Sequence, residues 1–343
     1  MVLPYICSAV LAFVVSYLAV AVFCRWAGAR MLDVPNTRSS HTLPTPRGGG
    51  LAIVVAALSG IWIAFPFIHS ILSVWQLLAF TFGALLVAGV SWVDDLRSLS
   101  TGIRFAVHLA AAVLAVLAFG AWKEIIIPGL GSFNLGWSGW PVTLLWIVGL
   151  TNAYNFMDGI DGIAGGQAVV AGLGWTIFGV AAHQPFLSAV GILLAASSLG
   201  FLGHNWPPAK IFMGDVGSAF LGYSFAVLPV IAAPFDPRVI FAGILFVWPF
   251  IFDAAFTFAR RLINRENVFA AHRAHLYQRL VISGLSHQTV TFLYVTLAVI
   301  GAGMALAYVM DVHHAGVLIL VALILLAIGL LALTFWREHR RNI

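Results

Sequence analysis

Two adjacent carboxylates, Asp94 and Asp95, end one of the apolar runs of this 343-residue chain, with Arg97 just beyond them. Ionisable groups at the margin of an apolar segment are usually functional or paired, and two such neighbours titrate as a unit. The pair can hold a divalent cation or act as a base. The plainer reading is a helix C-terminus whose acids pair with Arg97 and Arg104, although acids oppose the helix dipole at that end. A second string, Asn152-Ala-Tyr-Asn155-Phe-Met-Asp158-Gly-Ile-Asp161-Gly, repeats a polar residue at every third position. On a regular helix that spacing drifts around the axis, but Gly159, Gly162, Gly165 and Gly166 permit a broken backbone on which the side chains converge. Amide and carboxylate oxygens are hard ligands, suited to Mg²⁺ and to hydrogen bonds with a sugar or a base. A polar turn with helix caps is the alternative.

Three further strings carry charge. Asp215 stands in Lys210-Ile-Phe-Met-Gly214-Asp215-Val-Gly217-Ser218, where an acid between glycines at a helix start suits a cation bridging to phosphate, or a simple N-cap. Pro44-Thr-Pro-Arg47-Gly-Gly-Gly50 leads three glycines into a helix. Backbone N–H groups there can approach an anion, with Arg38, His41 and Arg47 near enough to neutralise it; otherwise this is a helix start with ordinary flanking arginines. In His272-Arg273-Ala-His275-Leu-Tyr-Gln-Arg279-Leu, a helix would set His272, His275 and Arg279 on one face, a cationic edge able to grip a diphosphate. A zinc site is the rival, but the spacing lacks the i, i+4 His pair with its Glu, and no Cys is near. Solvated surface histidines are the plain alternative. Asp253, about two helical turns before Arg260, lies inside an apolar run and either pairs with an arginine or reaches the substrate.

The elements that must position these residues are membrane helices. With 62% hydrophobic and 8% charged residues and a mean hydropathy of +1.01, the chain is too apolar for a soluble protein of its length. At about 20 residues per crossing, an all-α integral membrane protein of about eleven transmembrane helices is expected, near 3–24, 48–68, 74–93, 103–121, 140–156, 163–182, 186–203, 217–233, 238–262, 289–310 and 314–336. All but two of the 17 Lys and Arg residues then fall on one side, leaving Lys123 and Arg238 opposite. The positive-inside rule therefore puts the N-terminus in the periplasm and the C-terminus in the cytoplasm. Ile125–Ile127 and Phe133–Leu135, around Pro128, Gly129 and Gly131, predict a small periplasmic β-hairpin. The net charge of +5 could suggest nucleic acid. The basic residues flank apolar runs instead of forming a stripe, so anchoring at the lipid bilayer explains them and no nucleic-acid partner is expected. Cys7 and Cys24 give neither a disulfide framework nor a metal spacing. No positive charge precedes Arg25, and Phe23 ill suits the position before a lipidated cysteine, so the first run is expected to stay as a helix. No internal repeat is visible, which favours one domain over 1–343 and weakens the idea of a transporter or flippase for lipid-linked sugars.

Taken together, Pro44 to Gly49, Asp94-Asp95, Asn152 to Gly162, Gly214 to Ser218 and His272-Arg-Ala-His275 resemble, in order and over nearly the whole chain, the polyprenyl-phosphate N-acetylhexosamine-1-phosphate transferases. That family includes the bacterial phospho-MurNAc-pentapeptide translocase and the GlcNAc-1-phosphate transferases. The resemblance implies transfer of a sugar 1-phosphate from a UDP-N-acetylhexosamine to undecaprenyl phosphate, with release of UMP, at the cytoplasmic face of the bacterial inner membrane. It implies that Asn155 and Asp215 hold Mg²⁺ or Mn²⁺, and that Asp94 or Asp95 orients or deprotonates the lipid phosphate. Asp158 and Asp161 would arrange nucleotide and metal, and His272, Arg273 and His275 would contact the diphosphate. His41, Arg47, Asn152 and Asp253 complete the expected substrate contacts, and a homodimer is left open. The translocase branch carries three neighbouring histidines where this chain has His-Arg-Ala-His. That departure turns the expectation from the pentapeptide substrate toward an amino sugar for a surface polysaccharide of the O-antigen type.

Overall fold

Apolar runs of this length must satisfy their backbone groups internally once in lipid, so they fold as helices. The computed structural model describes residues 2–27, 31–34, 43–68, 72–268, 272–312 and 315–341. The helices are α1 (Val2–Ala27), α2 (Gly50–Ala64), α3 (Val74–Arg97), α4 (Thr101–Phe119), α5 (Gly139–Phe156), α6 (Ile163–Ala181), α7 (Pro185–Asn205), α8 (Asp215–Ala232), α9 (Arg238–Phe246), α10 (Trp248–Ile263), α11 (Leu276–Ile282), α12 (His287–Val309) and α13 (Ala315–Arg341). Among the described residues, nine of these are long and apolar enough to cross a membrane alone, and α9 with α10 makes a tenth. The eleventh, α5, has 18 residues, roughly 27 Å of helix; Asn152 and Asn155 near its end dilute its apolarity. The chain is a multi-pass membrane protein.

The expected span over 238–262 is not continuous. It breaks at Val247 into α9 and α10, which diverge by 80°. Pro249, in the first turn of α10, has no N–H to bond the preceding turn, and its ring opposes continuation. The stranded carbonyl of Phe246 is met instead by the Gln167 amide of α6 at 2.8 Å.

Helix α8 runs through the centre of the bundle, almost wholly enclosed, with α2, α3 and α5 against it. The alternation of directions brings the starts of α2, α4, α6 and α8 and the ends of α3, α5 and α7 to one end of the molecule. Every polar string of the sequence lies there. At the opposite end β3 (Glu124–Ile127) pairs antiparallel with β4 (Gly131–Asn134), the expected hairpin. The other strand pair, β1 (Leu32–Asp33) with β2 (Thr45–Pro46), lies just before α2. Exposed tryptophans mark both levels: Trp62, Trp75, Trp137 and Trp140 toward the hairpin end, Trp26 and Trp336 toward the polar end, as expected of interfacial aromatic belts.

Candidate active site at the polar end of the bundle

Two strings more than 160 residues apart are joined through their backbones. Phe212 donates its N–H to Pro46 at 2.8 Å, Gly49 donates to Phe212 at 3.0 Å, and Gly50 donates to Met213 at 2.9 Å. The amides of Gly49 and Gly50 are therefore spent on chain pairing, and the expected anion cradle in this glycine run is not what they form. Their role is close approach: a Cβ on Gly50 would overlap the Cα of Gly217, so only glycines let the starts of α2 and α8 meet here.

That junction places Asp215 at the first turn of α8. The carboxylate of Asp95 lies against the same helix end, its Oδ1 accepting from Asp215 N and its Oδ2 from Val216 N, both at 3.1 Å. A carboxylate at a helix N-terminus meets unsatisfied amides and the positive end of the dipole. Asp95 is 4% exposed, and the Arg47 guanidinium caps its backbone carbonyl. Asp94 faces otherwise. It accepts from Arg104 Nη1 at 2.8 Å, and the same nitrogen lies 3.4 Å from Asp215 Oδ2. Of the two arginines proposed as partners for the acid pair, Arg104 takes that place; Arg97 is exposed.

The third string divides. Asn152 and Asn155 sit on the last turns of α5, with the Asn152 amide donating back to Val148 O at 2.7 Å. The Oδ1 of Asn155 accepts from the Ser218 hydroxyl at 2.5 Å, one turn along α8 from Asp215. Asp158 follows in the turn after α5, close to Asp215. Burial first, then the charges of Asp215, Asp95 and Asp161, push its carboxyl well above the ordinary range. Asp161 turns away from this group: it accepts from Ala209 N at 3.0 Å and faces His287 at 3.3 Å. There it ties the start of α6 to the loop before α8 and to α12.

The last string corrects two expectations. His272, His275 and Arg279 do not share a helical face, because α11 begins only at Leu276 with His275 as its N-cap. His272 precedes it in irregular chain, its ring 5.1 Å from that of His275. Asp253 does not reach a substrate. It is 0% exposed, and its carboxylate accepts from His275 Nδ1 at 3.1 Å, Leu276 N at 2.8 Å, Tyr277 N at 3.0 Å, Tyr294 OH at 2.5 Å and Thr257 Oγ1 at 3.2 Å. An ionised carboxylate in apolar surroundings is tolerable only when so fully satisfied. It fixes the His275 ring and the start of α11. Tyr277 then donates to Phe156 O at 3.0 Å, seating α11 on the end of α5. Burial, followed by the charges of Asp253 and Asp158, keeps its hydroxyl protonated well above the usual tyrosine range. Arg273 lies within electrostatic reach of Tyr277, and Arg279 is engaged by Glu338. His41 lies outside the described residues.

Asp94, Asn155, Asp158 and Asp215 thus come together from three strings, with Arg104 bridging Asp94 and Asp215 and with Asp95 behind them. Their donors are hard oxygens and their negative charge exceeds the cations in contact, which fits a magnesium-type ion. Among the described residues no three acidic, His or Cys side chains form a finished cation cage. Mg²⁺ is commonly held by one or two carboxylates, with water and substrate phosphates completing the shell. Sequence reasoning named Arg104 only as a partner for the acid pair and missed its bridge to Asp215. It also missed Ser218 as the hydroxyl on Asn155, and Tyr294 and His108, both buried polar residues in apolar helices. His108 lies beside Asn152 and Arg104. Ionisable or hydroxyl groups inside a membrane helix were the available signal.

Known proteins share this arrangement of sequence. The family model described as glycosyl transferase family 4 matches residues 77–233, a stretch from α3 into the end of α8 that includes Asp94, Asn155, Asp158 and Asp215. A Bacillus subtilis (strain 168) protein described as "Probable undecaprenyl-phosphate N-acetylglucosaminyl 1-phosphate transferase" is 34% identical over 261 residues, 75% of this chain and 71% of the relative. The decaprenyl-phosphate N-acetylglucosaminephosphotransferase of Mycobacterium leprae (strain TN) is 31% identical over 333 residues, 85% and 80% of the two chains. The phospho-N-acetylmuramoyl-pentapeptide-transferase of Synechococcus sp. (strain JA-3-3Ab) is 33% identical over 230 residues, 62% and 64%. With the acids, amides and arginines of the matched strings gathered at one end of a helical membrane bundle, the chain belongs to glycosyl transferase family 4 and is a phosphotransferase.

Proposed function

We propose that the chain transfers an N-acetylhexosamine 1-phosphate from its UDP derivative to undecaprenyl phosphate, at the cytoplasmic face of the bacterial inner membrane. An oxygen of the lipid phosphate attacks the sugar-bearing phosphorus of the nucleotide sugar. The bond from that phosphorus to the bridging oxygen breaks, UMP leaves with the electron pair, and a lipid-linked diphosphate sugar forms. The carrying observation is the convergence of Asp94, Asn155, Asp158 and Asp215 at one end of the bundle, where a prenyl tail stays in lipid while its phosphate meets a soluble nucleotide. Two anions must approach in this reaction, so positioning and charge neutralisation are the main tasks. Mg²⁺, or Mn²⁺, held by Asp215 and Asn155, would supply charge neutralisation at the diphosphate. Asp94, held by Arg104, orients the attacking phosphate; Asp95, with both oxygens on α8 amides, serves as the positioning partner of Asp215. Asp158 is the group placed to hold a proton. His275, its Nδ1 turned to Asp253, presents its other nitrogen toward the diphosphate, with His272 and Arg273 beside it.

UDP-N-acetylglucosamine is the sugar nucleotide best supported. The Bacillus and Mycobacterium relatives bear N-acetylglucosamine in their names, and the His-Arg-Ala-His string departs from the run of histidines in the pentapeptide branch. The product would begin a surface polysaccharide of the O-antigen type. Purified protein mixed with undecaprenyl phosphate, Mg²⁺ and a panel of UDP-sugars should release UMP with UDP-N-acetylglucosamine, and EDTA should stop it. Intact protein that released no UMP with any sugar would overturn the reading.

A further inference from the structure

A seven-residue helix cannot persist alone in water, so α11 owes its shape to what grips it. Its first turn is held by Asp253. Its last turn is held by the C-terminal end of α13, some sixty residues further along the chain. Arg279 donates Nε to Glu338 Oε1 at 2.7 Å and Nη2 to Glu338 Oε2 at 2.6 Å, a bidentate pairing that fixes direction as well as distance. The guanidinium carbon lies 4.8 Å from the ring centroid of Phe335, and Arg337 Nη2 donates to Ser283 O at 3.2 Å. Only 9% of the Arg279 side chain is exposed, so without its partner this charge would be stranded. Arg279 N also donates to His275 O at 2.9 Å. A displacement at Arg279 is therefore delivered one turn away, at the histidine.

We propose that Glu338 is a positioning residue of the active site, which holds α11 so that His275 and the 272–275 string stand at the reacting diphosphate. The last turns of α13 thereby belong to the catalytic unit as well as to the membrane anchor. The catalytic half of this proposal rests on the transferase reading above. The mechanical half stands on the contacts alone.

The test uses the full-length protein with Glu338→Gln, Glu338→Ala, Glu338→Arg and the exchanged pair Arg279→Glu with Glu338→Arg. Arg340→Ala serves as the control, because the Arg340 guanidinium lies over Trp336 of its own helix at 4.3 Å. Amide hydrogen exchange across 276–282 should speed up by at least about tenfold in Glu338→Ala, with α6 to α8 unchanged to report an intact fold. UMP release should show kcat lowered by about tenfold or more with KM for the UDP-sugar changed much less, the split expected when transition-state contacts are lost. The exchanged pair should recover a substantial part of the kcat lost in Glu338→Arg, and Arg340→Ala should match the native protein. Unchanged exchange in Glu338→Ala overturns the proposal. So does faster exchange with native kcat, or an equal loss in Arg340→Ala. If the native protein itself turned over no UDP-sugar, the exchange data would still decide whether Glu338 holds α11, separating that failure from failure of the transferase reading.

Discussion

Asp95 and Asp215 lie in contact through backbone and side chain, yet their carboxylates have different surroundings. Both oxygens of Asp95 rest on α8 amides, whereas Asp215 faces Arg104 and the Asn155–Ser218 pair. Asp215→Asn should therefore lower UMP release by about a thousandfold, in the range of a lost electrostatic contribution at the reacting centre, with little change in melting temperature. Asp95→Asn should lower both, and circular dichroism melts beside the assay will separate the two. Asp158 adds a pH effect. With no cation bound, its raised value means the folded protein holds this proton more tightly than the unfolded chain. That contribution is complete below the ordinary carboxyl range and is lost as pH rises through the raised value. The melting temperature of EDTA-treated protein should therefore fall as pH rises from the ordinary carboxyl range toward the raised value. Asp158→Asn should flatten the decline, and Mg²⁺ should restore the native protein at the upper end. A steady or rising melting temperature would contradict this electrostatic account. The residue types of this group were legible in the sequence, since acids and amides beside apolar runs are rare. Which oxygen meets which amide was not, because Asp95 meets α8 across 120 residues of chain.

At the scale of elements, the meeting of α2 and α8 governs where Asp215 stands. Gly50→Ala would drive a methyl into Gly217, and overpacking of this kind costs about 1–3 kcal/mol. Melting should register that cost, and UMP release should fall with it because the first turn of α8 must shift. Full activity and unchanged melting would show that the two helices part without consequence. The glycine run announced a special backbone, but the sequence could not say whether an anion or another helix would occupy the space. The hydropathy pattern likewise ran smoothly through 238–262, and Pro249 was the sole hint of the 80° break. The short α11 is invisible to periodicity at seven residues, and the spacing of His272, His275 and Arg279 suggested a longer helix than forms. By contrast, most of the membrane-spanning helices, nine or ten among the described residues, and the hairpin were legible, because bilayer thickness and turn chemistry act on stretches long enough to leave a pattern.

For the whole molecule, the separation of charge was the strongest signal, and the orientation it predicts can be measured. In a background with Cys7 and Cys24 replaced by serine, Lys123→Cys should react in intact cells with a membrane-impermeant thiol reagent. Lys210→Cys should react only after the membrane is opened. The reverse result would place the acids and His275 outside the cell, away from UDP-sugars. The seat of α11 gives this architecture a mechanical side. The short helix is moored to Asp253 of α10, Phe156 of α5 and Glu338 of α13, and Tyr294 of α12 donates to the same Asp253. Four membrane helices thus converge on seven residues. A substitution that shifts any one of them should therefore be felt at His275, because the same short helix joins all four to that ring.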